Sequence, residues 1–196
     1  TGIISTAIKK EKASTEIISH AVDSMKMLNK KAAEIARKFK PNAVTDVTGF
    51  GLVGHLIEIC NASNVSAEIN FSNIELLPGT VKFLEQGIMP GGSKRNLKHA
   101  ENFTIFNPNL TYNQKLITCD AQTSGGLLIT LSNRDANKFI EEFGKEAKII
   151  GEITSKKNNS VSVELWHSIC FRTYIRQNLS YIIFGFIYNL SLYFQS

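Results

Sequence analysis

Cysteine is scarce in this sequence, and the few cysteines are poorly placed for disulfide bonds or a structural zinc site. Only three occur among 196 residues, Cys60, Cys119 and Cys170, far apart and never as a C-x-x-C pair. The odd number and the long spacings argue against a disulfide framework and against a structural zinc site. Such sparse usage fits a reducing compartment, so we predict a cytoplasmic protein in which Cys60 and Cys119 are core thiols.

No signal peptide opens the chain, and no apolar run is long enough for a typical membrane span. The chain begins with Thr1 rather than Met, which is typical of a fragment of a longer protein. A transmembrane helix needs roughly 20 apolar residues. The most apolar stretch, 179–194, is shorter and contains Ser and Asn. For the aromatic tail 166–196 we therefore favour an added strand, a partner-binding segment or a non-native end over a membrane anchor, and we expect its removal to leave the fold intact.

Acidic residues are outnumbered, with 17 Asp and Glu against 22 Lys and Arg, giving a formal net charge of +5. A basic balance is compatible with nucleic acid, a membrane surface or a polyanionic substrate such as ATP. The basic residues are spread along the chain, which favours solvated helix and loop faces. We therefore expect no nucleic-acid partner.

Apolar periodicity predicts helices and strands along most of the chain. Helices are predicted at 14–39 with a break near Asn29, 51–60, 78–86 and 132–145. Buried strands are predicted at 42–47, 65–71, 125–131, 147–154 and 160–165. The polar turn 155–160 is predicted to join the last two strands. The stretch 87–113, rich in Gly, Asn and Pro, is predicted to be a long loop.

The stretch "TDVTGFGLVGH", residues 45–55, contains a literal G-x-G-x-x-G formed by Gly49, Gly51 and Gly54. This pattern indicates dinucleotide binding when a strand precedes it, a helix follows and an acidic residue lies about 20 residues further on. Three features count against that interpretation. Asp46 would face the pyrophosphate, Glu68 lies inside a predicted strand rather than at its end, and the later sequence loses the β-α-β rhythm.

A different use of Asp46 is a magnesium site shared with substrate phosphates. Mg²⁺ usually takes one or two protein carboxylates and completes its shell with water and phosphate oxygens. The glycines would allow close approach of the backbone, and the following helix would present unpaired N–H groups to anions. A purely structural glycine turn remains an alternative, and His55 is predicted to be a packed or capping residue.

Four stretches together resemble one family of enzymes. They are "TGIISTAIKK", "TDVTGFGLVGHL", "PGGSKRN" and "QTSGGLL". In this order and at these separations they resemble the C-terminal half of selenophosphate synthetase (selenide, water dikinase), over Thr1 to Leu165. That half is a domain shared with aminoimidazole ribonucleotide synthetase. The resemblance implies an α+β fold, a mixed sheet with packed helices, for residues 1–165, and leaves 166–196 outside the family domain.

The resemblance implies a reaction of ATP, selenide and water that gives selenophosphate, AMP and phosphate. It implies Mg²⁺ as cofactor, with Asp46 as the metal ligand, and a homodimer for the complete protein. It implies no catalytic residue within this stretch. Residue chemistry adds candidates for contacts to the nucleotide phosphates, because Arg offers a bidentate fork and hydroxyls and glycines suit anions. These candidates are Thr48, Gly49, Gly51, Arg95, Asn96, Thr123, Ser124 and Gly125. A solvated or interdomain loop remains the alternative for Arg95 and Asn96, and a simple turn of the chain for Thr123 and Ser124.

Departures from the family pattern limit the expected activity. The family's N-terminal domain, with its reactive Cys or Sec, its catalytic Lys and its Gly-rich segment, has no counterpart here, so we expect this chain alone to be inactive. Ala121 stands where the family usually has Pro, and Val44 where Cys is common. A related enzyme, of the aminoimidazole ribonucleotide synthetase, thiamine-phosphate kinase or hydrogenase-maturation dehydratase type, and a non-catalytic truncated module remain alternatives.

Overall fold

The computed structural model describes residues 1–144, 146–165 and 180–185, which form an α+β domain around a mixed sheet. The helices are α1 Gly2–Lys9, α2 Thr15–Lys26, α3 Lys30–Ala36, α4 Gly51–Ala62, α5 Thr80–Glu85, α6 Gly91–Ala100, α7 Tyr112–Thr118 and α8 Asn133–Phe143. The strands are β1 Ala43–Asp46, β2 Val65–Asn70, β3 Thr104–Phe106, β4 Leu127–Ser132, β5 Ala147–Ser155, β6 Val161–Glu164 and β7 Ser180–Gly185. The fold class implied by the family resemblance is confirmed.

The strands lie in the order β1-β4-β7-β5-β2-β6-β3. Neighbours are antiparallel from β1 to β2, whereas β6 runs parallel to both β2 and β3. β1 and β3 are therefore the outer strands of the described sheet. Because β1 is an outer strand, the turn that follows it lies at the edge of the domain.

Helices pack on both faces of the sheet. Successive side chains of a strand point to opposite faces, so each central strand contributes apolar residues to two clusters. In β4, Leu128 joins the larger core cluster and Ile129 the smaller one. In β7, Ile182 and Ile183 divide in the same way. The smaller cluster packs under α3 and α8, and the larger cluster packs under the remaining helices.

Several predicted elements are confirmed. The break near Asn29 separates α2 from α3, and the Ser14 hydroxyl caps α2 by accepting a hydrogen bond from the Ile17 N–H at 3.4 Å. Helix α8 begins at the predicted cap, where Ser132 accepts from the Asp135 N–H.

The predicted loop at 87–113 is wrong, because it contains α6, β3 and the start of α7. Gly91 and Gly92 begin α6. Glycine is a weak helix former, so this helix could not be predicted from local propensity. Its buried stripe is short: Ser93, Leu97 and Ala100 lie on one face while the basic residues between them are exposed.

The two strands predicted on either side of the polar turn 155–160 are confirmed, but they do not pair with each other. β5 and β6 both exist, but β2 lies between them, antiparallel to β5 and parallel to β6.

The strand predicted at 42–47 is confirmed as β1, although it is not fully buried, because Val44 on this outer strand remains 44% exposed.

For the tail 166–196, the structure describes only 180–185, and these residues form an added strand. β7 lies between β4 and β5 and pairs with both. The rest of the predicted tail lies outside the described residues. None of the helices in the described parts of the chain is long and apolar enough to cross a membrane.

Candidate functional site

Asp46 ends β1 with its side chain accessible to solvent. Its backbone pairs with Leu127 of β4, which fixes where the strand stops and the turn 47–50 begins. Asp46 is exposed, and within the described residues no hydrogen bond or ion pair engages its carboxylate. The carboxylate is therefore available to a cation from outside this domain.

Thr48, two residues further on, is held by His55 from the second turn of α4. The Thr48 backbone N–H donates to His55 Nε2 at 3.0 Å, and the Thr48 hydroxyl oxygen lies 3.2 Å from the same nitrogen. His55 is buried, with 9% of its side chain exposed, and packs against the Phe50 ring. The prediction of a packed histidine is confirmed, and its contact is with the turn itself.

Asn96 holds the same turn from the side of α6. Its Nδ2 donates to the Gly49 carbonyl at 2.8 Å and to the Cys119 carbonyl at 3.1 Å. The two amide hydrogens thus join the turn after Asp46 to the end of α7. Asn96 was predicted as a phosphate contact, but here its donors serve the protein backbone.

The stretch "QTSGG" runs alongside the turn. The Gln122 N–H donates to the Thr48 carbonyl at 3.0 Å, and the Val47 N–H donates to the Gly126 carbonyl at 3.0 Å. Thr123 and Ser124 are exposed next to these contacts. Ser124 has a left-handed backbone with φ 52, which turns the chain sharply at this point.

Three of the glycines predicted as nucleotide contacts differ in what surrounds them. A Cβ on Gly125 would lie 2.2 Å from the Val47 carbonyl oxygen, and a Cβ on Gly51 would lie 2.6 Å from the Cys119 backbone. Gly51 also has φ +74. Both are therefore required by the packing of one segment on another. A Cβ on Gly49, by contrast, would meet nothing within 4 Å, so the described residues give no steric reason for glycine there.

Asp120 connects two further stretches to this site, and sequence reasoning missed it. It is 3% exposed; its Oδ2 accepts from the Ile3 N–H at 3.2 Å and its Oδ1 from the Ser93 hydroxyl at 2.6 Å. Ser93 in turn accepts from the Ala121 N–H. An acidic residue directly after the buried end of α7 and a Ser on the apolar stripe of α6 were the available signals. Asp120 joins "TGIISTAIKK" to "PGGSKRN". Asn96 and Gln122 join "PGGSKRN" and "QTSGGLL" to the turn after Asp46, so all four stretches that carry the family resemblance meet in space.

Arg95 is exposed on α6, one residue before Asn96. Its guanidinium lies over the start of its own helix, 3.5 Å from the position that a Cβ on Gly91 would take. Among the described residues, no ion pair fixes Arg95. It therefore keeps a free bidentate donor on the surface of the domain.

The donor set at the turn fits Mg²⁺ and does not fit a protein-only metal cage. No cluster of three or more His, Cys, Asp or Glu side chains suitable for a metal occurs in the described chain. Mg²⁺ needs only one or two carboxylates when water and phosphate oxygens complete its shell. The single, exposed Asp46 carboxylate meets that requirement.

The geometry contradicts the dinucleotide alternative. A Rossmann unit needs β1 and β2 to be parallel neighbours around the helix between them. Here β4, β7 and β5 separate β1 from β2. Glu68, the acidic residue that follows the glycines at about the required separation, lies within β2 and is ion-paired with Lys157.

Neither buried thiol has the properties of a nucleophile. Burial raises the pKa of Cys60 to about 11 and the pKa of Cys119 to about 12. Both thiols are therefore protonated at neutral pH, and the prediction of core cysteines is confirmed for these two. Cys170 lies outside the described residues.

Comparison with known proteins identifies the class. Residues 2–164 match the family described as AIR synthase related protein, C-terminal domain, and the chain belongs to that family.

Among curated proteins, the chain is similar to several named "Selenide, water dikinase". It is 40% identical over 166 residues to that of Campylobacter jejuni (83% of this chain, 47% of the relative). It is 40% identical over 166 residues to that of Sulfurovum sp. (83% and 47%) and 45% identical over 132 residues to that of Shewanella sp. strain ANA-3 (67% and 37%). The chain thus spans less than half the length of these relatives.

Proposed function

We propose that this chain is the C-terminal part of a selenide, water dikinase, a phosphotransferase that uses ATP and Mg²⁺ to make selenophosphate from selenide, with AMP and phosphate as the other products. Support comes from the relatives so named and from the meeting of the four stretches around the turn after Asp46. The proposal includes a cytoplasmic location, a homodimer of the complete protein, and completion of the site by a longer chain.

One observation carries this proposal. The exposed Asp46 carboxylate has no partner within the described residues, and close to it Gly49 leaves empty the space that a side chain would fill. The fold itself explains Gly51 and Gly125 but offers no steric reason for Gly49. A turn with one free carboxylate and one uncrowded glycine suits a cation-bound phosphate that approaches from outside the domain.

The roles of the chain's own residues follow from this arrangement. Asp46 would hold Mg²⁺, which supplies charge neutralisation on the substrate phosphates when bound. Gly49 lets phosphate oxygens approach the backbone, and the exposed hydroxyls of Thr123 and Ser124 offer donors. Arg95 provides an exposed bidentate donor for a phosphate.

Two cavities in the described part of the chain lie elsewhere. One of about 50 Å³ adjoins Asp120, and one of about 310 Å³ lies between α5 and α7; neither is lined by Asp46 or Gly49. Asp46, Gly49, Thr123 and Ser124 are all exposed, so the site proposed here is an open surface. It needs the remainder of a longer protein to enclose a nucleotide, and for this reason we expect the isolated chain to be inactive.

The test is Asp46→Asn in the full-length protein that contains this chain. We expect turnover to fall about a hundred- to thousand-fold, by analogy with the loss of one preorganised electrostatic group. The melting temperature should hardly change, because Asp46 makes no described side-chain contact.

The matched control is Asp23→Asn, an exposed carboxylate on α2 far along the chain from the turn. It should leave both turnover and melting temperature unchanged. Near-normal turnover in the Asp46→Asn protein would remove Asp46 from the metal site. A large loss of stability in that variant would make Asp46 a structural residue and favour the purely structural turn.

A further inference from the structure

The contact between His55 and Thr48 fixes which nitrogen of the imidazole carries a proton. A backbone N–H can only donate, and the Thr48 N–H points at His55 Nε2 from 3.0 Å. Nε2 must therefore be the unprotonated nitrogen, and the neutral ring carries its proton on Nδ1. It follows that the Thr48 hydroxyl, 3.2 Å from Nε2, can bond to that nitrogen only as a donor.

We propose that His55 is a positioning residue for the turn after Asp46, with Nε2 accepting the Thr48 backbone N–H and so holding the backbone between Asp46 and Gly49. The inference rests on the function proposed above and refines it. Because the ring holds the backbone two residues after Asp46, it fixes the direction in which the turn presents the Asp46 carboxylate to a cation.

The surroundings of the ring favour this tautomer. Glu58 Oε2 lies 3.4 Å from Nδ1, which favours a proton on Nδ1, although the angle is not that of a hydrogen bond and no other described group pairs with Nδ1. Phe50 contacts the ring with a centroid distance of 5.6 Å. The buried ring thus has one engaged nitrogen, and that nitrogen faces the turn.

Asn96 holds the adjacent residue from the other side through the Gly49 carbonyl. The turn is therefore fixed at consecutive residues by side chains from α4 and α6. Both side chains form these hydrogen bonds with the turn and not with their own helices. Fixing the backbone that follows Asp46 would explain why His55 and Asn96 stand at these positions.

Two variants distinguish the loss of the Nε2 acceptor from the loss of the packed His55 ring. His55→Gln keeps an acceptor near the position of Nε2, and His55→Phe keeps a ring but removes the acceptor. In the 196-residue chain, nitrogen NMR should report an unprotonated Nε2 and a protonated Nδ1. Hydrogen exchange of the Thr48 amide should be slow in the wild type and the Gln variant, and at least about tenfold faster in the Phe variant.

In the full-length protein, the Phe variant should need about tenfold more Mg²⁺ for half-maximal turnover, and the Gln variant should need nearly the wild-type amount. A protonated Nε2, or equal Thr48 exchange in the two variants, overturns the inference. So does an unchanged Mg²⁺ requirement in the Phe variant when Asp46→Asn does raise that requirement. If Asp46→Asn leaves the Mg²⁺ requirement unchanged, the proposed function fails, whereas the NMR and hydrogen-exchange results still decide whether His55 holds Thr48.

Discussion

The Ser93 hydroxyl donates to Asp120 Oδ1 at 2.6 Å, and both residues are almost wholly buried. This bond joins α6 to the stretch that follows α7, and the same carboxylate receives the N–H of Ile3 in α1. A buried carboxylate is stable only when its oxygens are hydrogen-bonded. The cluster therefore depends on each donor that surrounds it.

Ser93→Ala removes one of these donors. Because the substitution leaves a buried carboxylate oxygen and the Ala121 N–H with fewer partners, we expect the free energy of unfolding to fall by about 1–3 kcal/mol. Urea unfolding measures the change. Ser19→Ala, which removes an exposed hydroxyl on α2, should alter stability by no more than about 0.5 kcal/mol. Equal effects of the two substitutions would refute the structural role of the Asp120 cluster.

Gly125 and Gly49 make a second matched pair. Gly125→Ala places a Cβ 2.2 Å from the Val47 carbonyl oxygen, so the two segments must separate, and we expect a loss of about 1–3 kcal/mol or more. Gly49→Ala meets nothing within 4 Å and should leave the melting temperature unchanged or slightly raised. In the full-length protein, we expect Gly49→Ala to reduce turnover because the methyl group occupies the proposed phosphate approach. A fully active Gly49→Ala protein would argue against that approach.

The position of β7 contradicts the expectation that the tail 166–196 can be removed without loss of the fold. A chain of residues 1–165 lacks the strand between β4 and β5, so we expect it to be much less stable than a chain of residues 1–185. Ile183→Ala, at a fully buried position of β7, should cost about 2–5 kcal/mol. Ile105→Ala, on the outer strand β3 with 58% exposure, is its control. Equal thermal unfolding of the two truncated chains would show that β7 contributes nothing to the domain.

The two buried cysteines predict a pH dependence. Burial raises the pKa of Cys60 to about 11 and that of Cys119 to about 12, from a usual value of 9.0. The folded state therefore keeps protons that the unfolded chain releases. Their contribution to stability is complete below pH 9 and is lost as the pH rises towards 11 and 12.

Iodoacetamide tests the burial that raises the two pKa values. In a Cys170→Ser background, neither thiol should be alkylated in the folded chain at pH 8, and both should react in urea. Mass spectrometry reads the result. Rapid alkylation of Cys60 or Cys119 in the folded chain would contradict the burial described for them.

Local patterns predicted most elements, because apolar spacing and caps act over a few residues. The β1 strand, α4 and α8 follow from such patterns, and the glycines of "TDVTGFG" marked the turn. The pairing of β5 and β6 with β2 could not be predicted in this way. A polar connection is compatible both with a hairpin and with a third strand inserted between its neighbours, and only the packed sheet distinguishes them.

The site followed the same rule. Asp46 was predictable, since a carboxylate after a strand and before glycines has a recognisable chemistry. Asp120 was not, because its partners Ser93 and Ile3 lie 27 and 117 residues away in sequence. Asn96 was identified for the wrong contact, because an exposed-looking amide in a basic stretch does not reveal which carbonyls it will meet.

The position of β7 also means that the sheet can be completed only late in synthesis of the chain. Its neighbours β4 and β5 precede it in the chain, yet each keeps one side of its backbone unpaired until residues 180–185 arrive. On a ribosome that adds about 5–20 residues per second, a gap in the middle of the sheet would persist for seconds after β5 has emerged. Open strand edges attract other chains. The greatest risk of aggregation therefore falls in that interval, and slower synthesis after residue 155 would lengthen it.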